Sequence, residues 1–96
     1  MYILVTYDVQ TTETEGRRRL RRIAKTCENY GQRVQNSVFE CELSEQEFLL
    51  LKSEIKKEMD ESEDSIRFYR MGNNYKDKIE HFGAKEPYDF EDVFIV

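Results

Sequence analysis

The sequence predicts an α+β sandwich in which a four-stranded antiparallel sheet carries two helices on one face. Three observations lead there. Segments rich in β-branched and aromatic residues alternate with two amphipathic helices. The middle strand segment, Gln32 to Leu43, is long enough to need a bend or bulge that divides it in two. Finally, both faces of the first and second strands carry bulky or apolar groups, so helices cover one face and something else must cover the other. The resulting order, β-α-β-β-α-β, is that of a ferredoxin-like sheet.

Tyr2 to Val9 reads as the first strand, with Ile3, Val5 and Tyr7 on one side and Tyr2, Leu4, Thr6 and Asp8 on the other. Thr12 and Glu15 have capping-box spacing and open a helix that runs to about Tyr30. Leu20, Ile23, Ala24 and Cys27 form its buried stripe, while Arg18, Arg21, Arg22 and Lys25 fall on the opposite side. Gly31 is expected to close the helix in a left-handed conformation. In the long strand Phe39, Cys41 and Leu43 share one side, and Val34, Val38, Glu40 and Glu42 the other. Ser44 and Glu47 form a second capping box, starting a helix with the stripe Phe48, Leu51, Ile55 and Met59 that ends near Asp60; Leu50 faces solvent.

Asp64 to Met71 reads as the last main strand, Gly72-Asn73-Asn74 as a turn, and Ile79 to Phe82 as a short further strand. The ferredoxin-like domain is therefore assigned to 1–82 and a tail to 83–96, whose apolar end suits pairing with a sheet edge of its own chain, of a partner copy, or docking on another protein. The helix-free face, with Tyr2, Leu4, Val34, Val38 and Tyr69, is too apolar for a wetted surface. A two-fold homodimer through that face is the simplest cover.

Ninety-six residues make one small domain with a modest core. The net charge is −5, but it is unevenly placed. Arg17 to Arg33 holds seven bases and one acid, a local +6, while eight bases and nineteen acids elsewhere carry −11. One dense basic element on an acidic protein is either a localised anion-binding face or simply a solvated helix face. The two cysteines, Cys27 and Cys41, sit in apolar patterns and read as reduced core residues of a cytoplasmic protein, not as a zinc site. No apolar run is long enough to span a membrane.

Thr6-Tyr7-Asp8-Val9, the arginine-rich helix, Gln32 to Glu40 and Arg67-Phe68-Tyr69-Arg70 together resemble the small CRISPR-associated adaptation protein family, Cas2. Gly72 to Lys76 and Glu80 to Lys85 are similar to its type I-C branch, whereas the acidic and aromatic stretch from Pro87 onward departs from the pattern. The resemblance implies a ferredoxin-like homodimer that bridges subunits of the CRISPR integrase, Cas1, during spacer acquisition. It also implies endonuclease activity on RNA or double-stranded DNA in some members, with Mg²⁺ or Mn²⁺ as cofactor. Carried over by position, Asp8 is the implied metal ligand. Asp8, Tyr7 and Phe39 become the candidate catalytic residues. Arg33 joins Arg18, Arg21, Arg22 and Lys25 as candidate nucleic-acid contacts.

The chemistry of the residues bears on these roles separately. Magnesium and manganese take hard oxygen ligands, and the sequence places no other carboxylate beside Asp8; two copies of Asp8 across a dimer axis would supply two. Asp8 alone equally suits a strand end that bonds the following turn. Arginine forks match phosphate, and no base-reading helix is present, so recognition of backbone and shape is expected. His81 reads as a packing residue near the last strand, and Ser37 lacks a partner base. A ferredoxin-like toxin-type ribonuclease or a small regulatory module remains the alternative that the residues alone leave open.

Overall fold

The computed structural model describes residues 1–72 and 75–83. Its elements are β1 (Tyr2–Asp8), α1 (Thr14–Tyr30), β2 (Gln32–Gln35), β3 (Val38–Glu42), α2 (Glu45–Glu58) and β4 (Ser65–Gly72), followed by a 3₁₀ turn over Tyr75–Lys78. The strands form one antiparallel sheet in the order β2-β3-β1-β4, so β1 is bonded on both sides. This is the expected βαββαβ arrangement. The tail from 84 onward, with its assigned start at 83–96, lies outside the described residues apart from Gly83.

Alternation along β1 builds the core. Ile3, Val5 and Tyr7 point to the helices and are buried with Phe39, Cys41 and Leu43 from the β3 side. Ile23, Ala24 and Cys27 from α1 and Phe48, Leu51 and Ile55 from α2 close over them. Leu50 is exposed as its helical position requires, and Leu49 beside it is exposed too. Ser44 and Glu47 form the reciprocal capping box, each side chain bonding the other's backbone N–H.

The long strand segment divides at Asn36-Ser37, and the register slips between Arg33 and Gln35, so two residues of β2 oppose Val38. Several local expectations are corrected. The Thr12–Glu15 capping box does not form: Glu13 is the N-cap residue and makes no side-chain cap. The helix entry is set instead by Gly16, whose backbone lies so close to the preceding loop that a Cβ there would stand 1.7 Å from the Gln10 carbonyl oxygen. Gly31 is not left-handed; its φ of −163° is extended, and the chain passes straight into β2. Glycine is needed there for space, because a Cβ would meet the Glu40 carbonyl oxygen at 2.3 Å and Cys41 Sγ at 2.4 Å.

The helix-free face is also less apolar than expected. Tyr2 is buried, with 1 % exposure, while Leu4, Val34 and Val38 are half-buried among Thr6, Glu40 and Glu42. Tyr69 remains exposed. No strand forms over 79–82; that segment is irregular, and Phe82 and His81 face solvent, so His81 does not pack on the sheet.

The tight approach at Gly16 yields a stability test. Gly16→Ala gains about 1 kcal/mol of helix propensity, but overpacking against a backbone carbonyl costs about 3 kcal/mol. A net loss of about 2 kcal/mol lowers Tm by roughly 10 °C, measurable by calorimetry. An unchanged or higher Tm would show that the Gln10 loop yields freely.

Candidate functional site

Strand parity decides where the candidate residues go. Tyr7 and Asp8 are neighbours in β1 and therefore face opposite sides of the sheet. Tyr7 joins the core; its hydroxyl donates to the Asn36 carbonyl at 3.2 Å, and its ring stacks on Phe39 with centroids 6.1 Å apart. Arg33 lies over the other part of this group, its guanidinium 5.2 Å from the Phe39 ring centre, and donates to Glu28 at 3.3 Å. Burial pushes the Tyr7 phenol up, against the lowering influence of Arg33, so at neutral pH the hydroxyl is a donor. Phe39 is fully buried and offers no surface to a substrate. Tyr7, Arg33 and Phe39 thus form one cluster beneath the β2–β3 turn, on the opposite side of the sheet from Asp8, with Tyr7 also bordering the depression at the end of β1.

Asp8 stands exposed at the end of β1, opposite Ser65 of β4. With Thr6, Ser65 and Arg67 it lines an open depression at the end of the β1–β4 pair, bordered by Tyr7, Ile66 and Met59 from the core side and by Glu61 and Asp64 from the α2–β4 loop. The Arg67 guanidinium donates to the Tyr69 hydroxyl at 3.0 Å, which holds it along the strand. An exposed carboxylate is the right donor for a hard cation, but one chain does not complete a site. Among the described residues no group of three histidine, cysteine or acidic side chains is placed to hold a metal.

The basic helix serves two purposes. Arg18, Arg21, Arg22 and Lys25 are exposed along one face of α1. Arg18 pairs with Glu15 at 3.2 Å, an exposed contact worth little; Arg21, Arg22 and Lys25 form no ion pair among the described residues. Arg19 is different. Its Nε donates to Asp64 Oδ2 at 2.8 Å and one terminal nitrogen to Oδ1 at 3.3 Å, while the Asp64 side chain is wholly excluded from solvent. The backbone N–H groups of Asp60 and Gln10 also donate to that carboxylate, at 2.9 and 3.3 Å.

Sequence reasoning passed over Arg19, Asp64 and Gly16. One signal existed: Arg19 lies three residues after Gly16, four before Ile23 and eight before Cys27, on the buried stripe rather than the wet face. Its partner, 45 residues away, has no local signature.

The family model "CRISPR associated protein Cas2" matches residues 1–79.

The chain belongs to the Cas2 family.

A Cas2 relative from Halalkalibacterium halodurans, named a CRISPR-associated endonuclease, is 56 % identical over 95 residues, covering 99 % of each chain. One from Chlorobaculum tepidum, named a CRISPR-associated endoribonuclease, is 56 % identical over 96 residues, covering both chains fully. The crystal structure of Streptococcus pyogenes Cas2 at pH 6.5 matches with a TM-score of 0.79 and 52 % identity, covering 86 % of this chain and 100 % of that one. Cas2 membership agrees with the fold, and no helix among the described residues is long and apolar enough to cross a membrane.

The buried pair gives a pH prediction. Burial pushes the Asp64 carboxyl up, but Arg19 and the N–H groups of Asp60 and Gln10 outweigh it and hold the group below its ordinary value of 3.8. A depressed carboxyl contributes stability that is complete above 3.8 and is lost as pH falls through the lower folded value. Urea midpoints of Asp64→Asn and the wild type therefore converge as pH drops below 3.8. At pH 7 the variant is weaker by about 3 kcal/mol, since one partner of a buried pair is left alone. A gap that does not narrow in acid would assign the stability elsewhere.

Proposed function

We propose that two copies of this chain join through their helix-free sheet faces into a homodimer that binds duplex nucleic acid, double-stranded DNA above RNA, along the arginine face of α1. In this reading the dimer acts in the cytoplasm as the scaffold that holds CRISPR integrase (Cas1) subunits apart during spacer acquisition, in a type I-C system. The observation that carries it is the row Arg18, Arg21, Arg22 and Lys25, exposed on one side of a rigid helix in an otherwise acidic protein. Four cations on one face attract phosphates without reading sequence, and the binding is steeply salt-dependent. Arg33, exposed on β2 and paired with Glu28 of α1, would add a further cation near the helix end.

A second reading, endonuclease activity, is supported by Asp8 and by the names of the relatives. One carboxylate is too few for Mg²⁺ or Mn²⁺, and Asp8 with its copy across the dimer axis would supply two, the rest of the shell being water and phosphate oxygen. The ion's contribution would be to activate a water for attack on a phosphodiester. Phe39 is buried away from that carboxylate, and Tyr7 borders the same depression from the core side. Their part in this reading is to fix the end of β1 from beneath, as positioning residues.

The two readings separate experimentally. Arg18→Glu, Arg21→Glu and Arg22→Glu together should weaken duplex binding by at least about 100-fold at low salt, with the dimer intact by sedimentation. Unchanged affinity, or a wild-type protein that sediments as a single chain at micromolar concentration, would refute the scaffold. Asp8→Asn should abolish cleavage while sparing folding and duplex binding. Cleavage that survives Asp8→Asn or EDTA would refute the nuclease.

A further inference from the structure

The end of β1 is weakly held by the sheet itself. Pairing of β1 with β3 runs only from Tyr2 to Thr6, and beyond it Tyr7 N–H donates to the Ser37 carbonyl. Asp8 is paired on one side alone, to Ser65. A strand end bonded on one side frays unless something outside the sheet restrains it.

Asp64 supplies that restraint from both directions. It directly precedes Ser65, the cross-strand partner of Asp8, and it accepts the N–H of Gln10, two residues past Asp8. The same carboxylate takes the Arg19 fork and the Asp60 N–H, so it is fixed to α1 and to the α2–β4 loop. The Gln10 carbonyl, in turn, rests on Gly16. Both strands that flank the open depression are thereby fastened to one buried anion.

We propose that Arg19 and Asp64 are positioning residues for Asp8, clamping the Asp8–Ser65 strand pair so that the exposed carboxylate is held in one orientation. The functional part rests on the reading of Asp8 as the reacting carboxylate. Neither clamp residue is free to contact substrate: Asp64 borders the depression, but its side chain has no solvent exposure and its oxygens are taken by Arg19 and two N–H groups, and Arg19 is turned inward, away from the basic row of its own helix.

The test uses the full chain and the variants Asp64→Asn and Arg19→Lys. Asparagine keeps the shape but loses the charge, and lysine keeps the charge but loses the two-donor fork. Amide hydrogen exchange at Gln10 should quicken by about tenfold or more in each, with β3 and α2 unaffected. On a duplex substrate kcat should fall by about 100-fold with KM unchanged, the signature of a misplaced group rather than a lost contact. Should either variant fail to fold, Arg19→Met combined with Asp64→Leu removes both charges at similar volume yet still deletes the Gln10 acceptor, and the same two changes are expected. Wild-type exchange at Gln10 in the folded variants overturns the clamp. Faster exchange with wild-type kcat overturns its positioning role. A wild-type protein that does not cleave sinks the Asp8 reading instead, and the exchange rates then decide the clamp alone.

Discussion

Two-residue alternation along β1 governs the layout of this protein. The strand is central and hydrogen-bonded to β3 and β4, so its side chains have no freedom to choose sides. Odd positions Ile3, Val5 and Tyr7 enter the helix-covered core, and Asp8 goes to the uncovered face. A one-residue slip would bury a carboxylate and expose a tyrosine, which the packing around Phe39 and Cys41 prevents. The same rule separates two chemistries a single peptide bond apart. One is a buried aromatic pair, Tyr7 and Phe39, covered by the exposed guanidinium of Arg33; the other is a wet carboxylate in an open depression.

Helix α1 carries charge on opposite sides for opposite reasons. Its wet arginines face bulk solvent, where each is individually weak but the row as a whole attracts polyanions. Arg19 faces inward and meets a carboxylate with no solvent contact. Such a pair adds little net stability over an apolar equivalent, but breaking it is costly, so it acts as a fixed joint between helix, loop and strand. Exposed cations on one side of the helix and a joint to the sheet on the other fix the position of the basic row relative to Asp8.

Much of this was legible in the sequence because the signals were local. The Ser44–Glu47 box, the stripe Phe48, Leu51 and Ile55, and the wet row Arg18, Arg21, Arg22 and Lys25 depend on spacing within a helix, and spacing is what a sequence displays. The same holds for the division of the long strand. Features that depended on distant packing were misread. Thr12 has the right chemistry for a cap, but Gly16 docking on Gln10 sets the helix start. Gly31 looked like a conformational glycine and proved to be a spatial one, because Cys41 and Glu40 come from a strand not yet placed when the helix end is read. Tyr2 reads as part of the apolar face left for a second copy to cover, yet it is buried within the single chain. Asp64 seemed the first residue of a strand, and Arg19 one base among several; only the folded chain brings them together.

The thiols of Cys27 and Cys41 have a quieter consequence. Burial pushes both up to about 12, so almost no thiolate exists at neutral pH, and thiolate is the form that electrophiles and oxidants attack. Gly31 packs against one of them, so that a Cβ there would stand 2.4 Å from Cys41 Sγ. Peroxide and alkylating reagents should therefore react slowly at these two positions.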